Sequence, residues 1–301
     1  MTTKAWRLTL SGFLMMLMLA LTACGGGPQP TPAAPENSGP AATASATSSV
    51  SLPNVNSDAA LTGTDEPAPQ LALSPSNKES GPGNAQAFPA GEVKPVEITT
   101  ADSVTLTGTF YVSPNTGSPA VAMLHMVGGQ RGDWDTLARQ LQAAGYNVLT
   151  LDLRGHGGSQ GQREWSKMSQ DAAAAYTWLA SRPEVNANRI GFIGASIGAN
   201  LSLNLAAGQP GVKTLVLLSP GLDFEGIKTE GPLQAYGPRP VLLIASAEDK
   251  ESADAVATLD KLALGKHTLK IYDGQGHGTR MLGRQNGIEE LILDWLKETL
   301  K

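Results

Sequence analysis

The sequence is poor in residues that usually mark a function: of its 301 residues one is cysteine and four are histidine. A single cysteine, Cys24, excludes an intrachain disulfide, so the chain lacks the usual staple of secreted proteins. No paired-histidine or clustered-carboxylate motif of metal-ligating spacing occurs, which argues against a metal-dependent hydrolase; no metal and no cofactor is expected. The net charge is only −5, and no stretch concentrates Lys and Arg as a phosphate-binding surface would. Nucleic acid is therefore not an expected partner. The apolar run from Leu8 to Leu21 falls short of the roughly 20 apolar residues a membrane span requires.

That run follows Lys4 and Arg7 and ends in Leu21-Thr22-Ala23-Cys24, the layout of a secretion signal over 1–23. Leu-Thr-Ala-Cys resembles the bacterial lipobox, and the resemblance implies lipid attachment to the Cys24 thiol. Such a lipid would anchor the protein to a membrane, outside the cytoplasm, without spanning it. The alternative is an accidental cysteine beside an ordinary cleavage site. From Cys24 to residue 90 the chain is mostly Pro, Ala, Ser, Thr, Gly and Asn, holds eleven of the 20 prolines, and has Phe88 as its single aromatic. Such a stretch cannot bury enough apolar surface to order itself and reads as a tether. A segment that folds on a partner is the other reading.

A folded domain is expected over 91–301. An antiparallel pair is predicted at 93–100 and 104–112, followed by six short apolar runs at 120–126, 146–152, 189–193, 214–219, 240–246 and 267–272. Runs of that kind suit strands buried on both faces. Helical stretches at 133–144, 166–181, 197–207, 252–262 and 286–300 alternate with them, which predicts an α/β class fold: a doubly wound, mostly parallel sheet. Ligands bind such sheets beyond the carboxyl ends of the strands.

The strand ending at Ile193 is followed by Gly194-Ala195-Ser196-Ile197-Gly198 and then a helix. This is the pattern of a nucleophile elbow, with Ser196 at the apex and at a helix N-terminus. The alternative is a serine cap in a glycine-rich turn. His277, in Asp273-Gly274-Gln275-Gly276-His277-Gly278 after the last strand, is the expected base. His267 opens that strand at the wrong end; His156 is read as structural, and His125 as a brace for its own loop. The acid that orients the base is expected at Asp249, with Glu248 and Asp223 as competitors and a helix-cap role as the alternative for Asp249 itself. For the oxyanion, one backbone donor is Ile197 and the second is placed at Val127, in His125-Met126-Val127-Gly128-Gly129.

With these pieces in order, residues from about 93 to 301 resemble an α/β-hydrolase, most of all the lidless branches akin to dienelactone hydrolases and prolyl-oligopeptidase-like esterases. The pieces are the His125 loop, Asp152-Leu153-Arg154-Gly155-His156-Gly157-Gly158-Ser159, the Ser196 elbow, Asp249 and Gly276-His277-Gly278. One departure is His125-Met126, where the family usually has His-Gly. About 20 residues separate Ser219 from Pro240, too few for a lid domain, and the resemblance then implies an open site for small or flexible esters. It implies hydrolysis of a carboxylic ester through an acyl-enzyme, with peptide or thioester hydrolysis using the same chemistry. Dienelactone hydrolysis proper relies on a cysteine nucleophile that the domain lacks. A surface binding protein on the same scaffold is the alternative of another class.

Overall fold

The computed structural model describes residues 91–300. The signal at 1–23, the lipidation site Cys24 and the tether at 24–90 lie outside the described residues. Eight strands form one sheet. They are β1 (Val93–Thr99), β2 (Thr105–Tyr111), β3 (Ser118–Leu124), β4 (Asn147–Leu151), β5 (Val185–Ala195), β6 (Val212–Leu218), β9 (Val241–Ser246) and β10 (His267–Tyr272). The spatial order is β1-β2-β4-β3-β5-β6-β9-β10. β1 and β2 pair antiparallel, β2 meets β4 antiparallel, and every pairing from β4 to β10 is parallel.

The central strands are apolar on both faces because both faces are covered. In β3, Ala120, Ala122 and Leu124 join one core cluster while Val121 and Met123 join the other. β9 divides the same way, Val241, Leu243 and Ala245 against Leu242 and Ile244. This is the period of two that a strand imposes, with no polar face left. One cluster packs under α2 (Met168–Ala180), α3 (Ile197–Gly208) and α5 (Lys250–Leu262). The other packs under α1 (Asp135–Ala143) and α6 (Ile288–Thr299). α6 is pinned by the Trp295 indole, which donates to Thr214 Oγ1 on β6 at 2.9 Å.

The chain leaves β3 for β4 on one side and returns to β5 on the other, so β3 and β5 flank the point where the winding reverses. At such a point the connections diverge and open a crevice at the carboxyl ends of the strands. The predicted strands and helices all occur. β5 begins earlier than expected because residues 186–189 are half-buried or exposed and carry no apolar run. Between β6 and β9 lie a hairpin, β7 (Asp223–Phe224) with β8 (Ile227–Lys228), and a single short helix, α4 (Glu230–Tyr236). These elements are too short for periodicity to reveal, and none forms a lid.

Candidate active site

Ser196 sits between β5 and α3 at φ 54° and ψ −122°. Non-glycine residues adopt this backbone only where their surroundings impose it. The surroundings are two glycines. A Cβ at Gly194 would collide with the backbone of Gly198 and Ala199, and one at Gly198 would collide with the carbonyl oxygens of Leu124 and His125. The strand can therefore turn sharply, and the start of α3 lies directly against the end of β3. Ser196 N–H continues the sheet by donating to Leu218 O at 2.8 Å, so the apex is tied on its β6 side as well. Ile197 is the first residue of α3, and amides of the first helical turn have no partner within their helix.

The loop after β3 is braced by His125, which is fully buried. Its Nδ1 lies 2.8 Å from Met126 O, and its Nε2 lies 3.0 Å from Leu153 N. A carbonyl only accepts and an amide only donates, so the imidazole is neutral with its proton on Nδ1. Burial pushes the His125 pKa down and reinforces that state. A turn then closes with Gly129 N–H donating to Met126 O at 3.0 Å, and Gly128 takes a positive φ of 73° within it. Val127 stands at the exposed tip of this turn, and the turn bond leaves its amide unused. Asp152, fully buried after β4, accepts from Arg131 N at 2.6 Å, ion-pairs with the Arg131 guanidinium and accepts from Gly158 N at 2.8 Å. One carboxylate thus joins two loops.

His277 follows β10, and its Nδ1 is 2.6 Å from Asp249 Oδ2, a carboxylate that follows β9. Asp249 does stand at the N-cap of α5, yet its side chain makes no capping bond. Glu248 points elsewhere, accepting from Gly274 N at 2.9 Å and Gly276 N at 2.8 Å. The Gly276 amide is the foremost reason its carboxyl pKa is held down to about 2. Asp223 accepts from Gly226 N in the β7–β8 hairpin. On the other side of the histidine, Gly278 N–H donates to Ser219 Oγ at 3.0 Å. A Cβ at Gly278 would stand 2.8 Å from Met126 Sδ and 3.4 Å from Ala195 Cβ. The residue after His277 therefore packs against both the loop after β3 and the residue before Ser196.

Of the other histidines, His267 is at the opposite end of the sheet with Nδ1 on Gly265 O. His156 lies against His125 edge to face, with ring centroids 4.9 Å apart, and its Nδ1 meets Arg154 O at 3.0 Å. Arg154 is almost fully buried, donates to Asp171 through Nε at 2.8 Å, and grips both oxygens of Asp102. Sequence reasoning named the turn holding Arg154 but not its partners. Ser219, at a strained φ of 49°, was also missed; its sole sequence signal was its place at a strand end.

Comparison with known proteins gives the same architecture. The family model described as serine aminopeptidase, S33, matches residues 117–235. An uncharacterized protein of Mycobacterium tuberculosis is 35% identical over 140 residues, covering 46% of this chain and 49% of its own. The thiohydrolase apmlB of Arthrinium phaeospermum is 29% identical over 222 residues, 68% of this chain and 64% of its own. The chain thus spans about half to two thirds of the length of these relatives. A solved esterase of Pyrococcus furiosus superposes with a TM-score of 0.61 at 23% identity, over 75% of this chain and 97% of that one. The fold is the α/β-hydrolase fold, without a large lid. Over residues 117–235 the chain is similar to that hydrolase family, and its fold is the one shared by the solved esterase.

Proposed function

We infer that the protein is a serine hydrolase that cleaves carboxylic esters, tethered outside the cytoplasm by a lipid on Cys24. The observation that carries the catalytic part is the 2.6 Å contact between His277 and Asp249, on a loop packed beside the strained Ser196 elbow. Because Asp249 faces Nδ1, the imidazole Nε2 is the nitrogen left to accept a proton. Ser196 Oγ attacks the ester carbonyl carbon and its proton passes to Nε2. Asp249 stabilises the imidazolium. The negative charge that develops on the carbonyl oxygen is met by the amides of Ile197 and Val127. The carbon–oxygen bond to the leaving group then breaks, and the leaving alkoxide takes the proton from His277. Water, deprotonated by the same nitrogen, releases the carboxylic acid and restores Ser196.

The thiohydrolase relative favours one second reading, thioester hydrolysis by the same residues. The tether is supported by the position of the single cysteine at the end of the apolar run. A fluorophosphonate probe tests the catalytic part on the full chain, beside a Ser196→Ala variant and p-nitrophenyl acetate turnover. Labelling is expected to vanish in the variant and turnover to fall by about 10⁴-fold or more. Labelling that survives the substitution would discard Ser196 as the nucleophile. Paired acetate and thioacetate substrates separate the two readings, and mass spectrometry of the mature N-terminus reads the lipid.

A further inference from the structure

His156 holds an unused acceptor. Its Nδ1 faces a carbonyl oxygen, so that nitrogen carries the proton, and Nε2 keeps a lone pair. Nε2 is buried and has no hydrogen-bond partner among the described residues, and the residue as a whole is 7% exposed. An acceptor in that position is destabilising unless something donates to it. His125 cannot, because its single proton goes to Met126 O and its other nitrogen accepts from Leu153.

The residue also lines a cavity of about 310 Å³ whose wall, glycines apart, is entirely polar: Gln130, Asp133, His156 and Arg163. Gly128 forms part of the floor, and a Cβ there would meet nothing within 4 Å, so the space above it is open. A second cavity of about 380 Å³ shares Gly128 and Asp133 and is completed by Met126, Thr279 and Arg280. Thr279 and Arg280 lie two and three residues beyond His277. The two cavities adjoin at Gly128 and Asp133 and together run from Thr279 and Arg280, in the turn after His277, past the loop after β3 to His156.

We propose that this trough is a substrate subsite for a neutral, hydroxyl-bearing group, such as the sugar or polyol portion of an ester. The proposal rests on the hydrolase reading and names its substrate class. Around the two cavities stand acceptors (the Asp133 carboxylate and the buried Nε2 of the lining residue His156) and donors (Arg163 and Arg280), a mixture that neighbouring hydroxyls satisfy, each donating once and accepting from another group. A long alkyl chain laid there would strip water from these groups and return nothing. An anionic group would meet Asp133 in the shared wall.

Two measurements on the full chain test this. In the Ser196→Ala protein, the imidazole nitrogen and proton resonances of His156 are followed by NMR as 6-O-acetylglucose is added, with ethyl octanoate as the apolar comparison. A saturable shift of His156 with the acetylated sugar alone is expected. In the active protein, the kcat/KM ratio of 6-O-acetylglucose to p-nitrophenyl octanoate is expected to fall at least tenfold in Arg163→Ala and in His156→Phe, with the circular dichroism spectrum retained. A His156 resonance indifferent to the sugar, or a ratio that stays within twofold in Arg163→Ala, would overturn the subsite. The NMR measurement needs no turnover, so it reads the subsite even if the native chain proves inactive towards every ester, which would instead overturn the hydrolase reading.

Discussion

The two loops that meet at Ser196 are held in opposite ways. On the side of the loop after β3 the fastening is buried: His125 is used at both nitrogens, Asp152 joins two loops, and Arg154 is locked between Asp171 and Asp102. On the histidine side the carboxylate fastening lies at the surface, at Glu248, while the two hydroxyls that assist it, Ser246 and Ser219, are buried. Three successive amides, of Gly274, Gln275 and Gly276, are taken by Glu248 and Ser246, and the Gly278 amide by Ser219. The buried side couples its geometry to the stability of the whole domain, because removing a partner strands a desolvated group. The exposed Glu248 contacts can be lost while the domain stays folded. Substitutions on the first side should therefore register in unfolding experiments, and those on the second mainly in kinetics.

The sharpest test of this division is Asp249→Asn. It should lower kcat by about 10⁴-fold through the tautomer and charge of His277, with the unfolding midpoint in urea almost unmoved. Next comes Asp171→Asn on the opposite side. It breaks the most buried ion pair in the Arg154 network and should lower stability by about 3 kcal/mol, measured by urea unfolding. Comparable stability losses from the two substitutions would erase the distinction. Glu248→Ala should then reduce kcat about tenfold, with KM and the melting temperature nearly unchanged, since the residue is exposed and holds the two glycine amides.

The smallest effect is on pH dependence. His125 is held neutral by burial, so its folded pKa lies below its unfolded value of roughly 6.5. The stability it contributes is complete above pH 6.5 and is lost as the pH falls towards the folded pKa, because the unfolded chain takes up the proton first. The slope is at most about 1.4 kcal/mol per pH unit for one proton. Urea midpoints from pH 7.5 to 5.5 should show the decline, and His125→Gln should flatten it.

Most of the fold could be read in advance because both-face burial leaves runs such as 120–126 and 240–246 almost without polar residues. The elbow was legible for a related reason: the close approach of α3 to β3 requires glycine at 198, and that requirement is written in the sequence. The shared carboxylates were not legible. Asp102, Arg154 and Asp171 come from three separate segments, and only the sheet brings them together. Glu248 and Asp249 are adjacent and chemically alike, so nothing local says which faces the imidazole; the direction of the chain as it leaves β9 decides it. The orphan nitrogen of His156 could not be foreseen either, since it depends on which backbone groups surround the ring.

Gly198 sets a limit on how far this site can be altered. The gap between the first amide of α3 and the loop after β3 is as narrow as it is because one carbon is missing at position 198. Alanine there would act as a wedge, forcing the helix and the loop apart by the width of a methyl group. If the proposed ester chemistry holds, attempts to enlarge the pocket for bulkier acyl groups have to work from the outer rim, at Met126, Thr279 and Arg280, because widening at the root would separate the two amides proposed to meet the oxyanion.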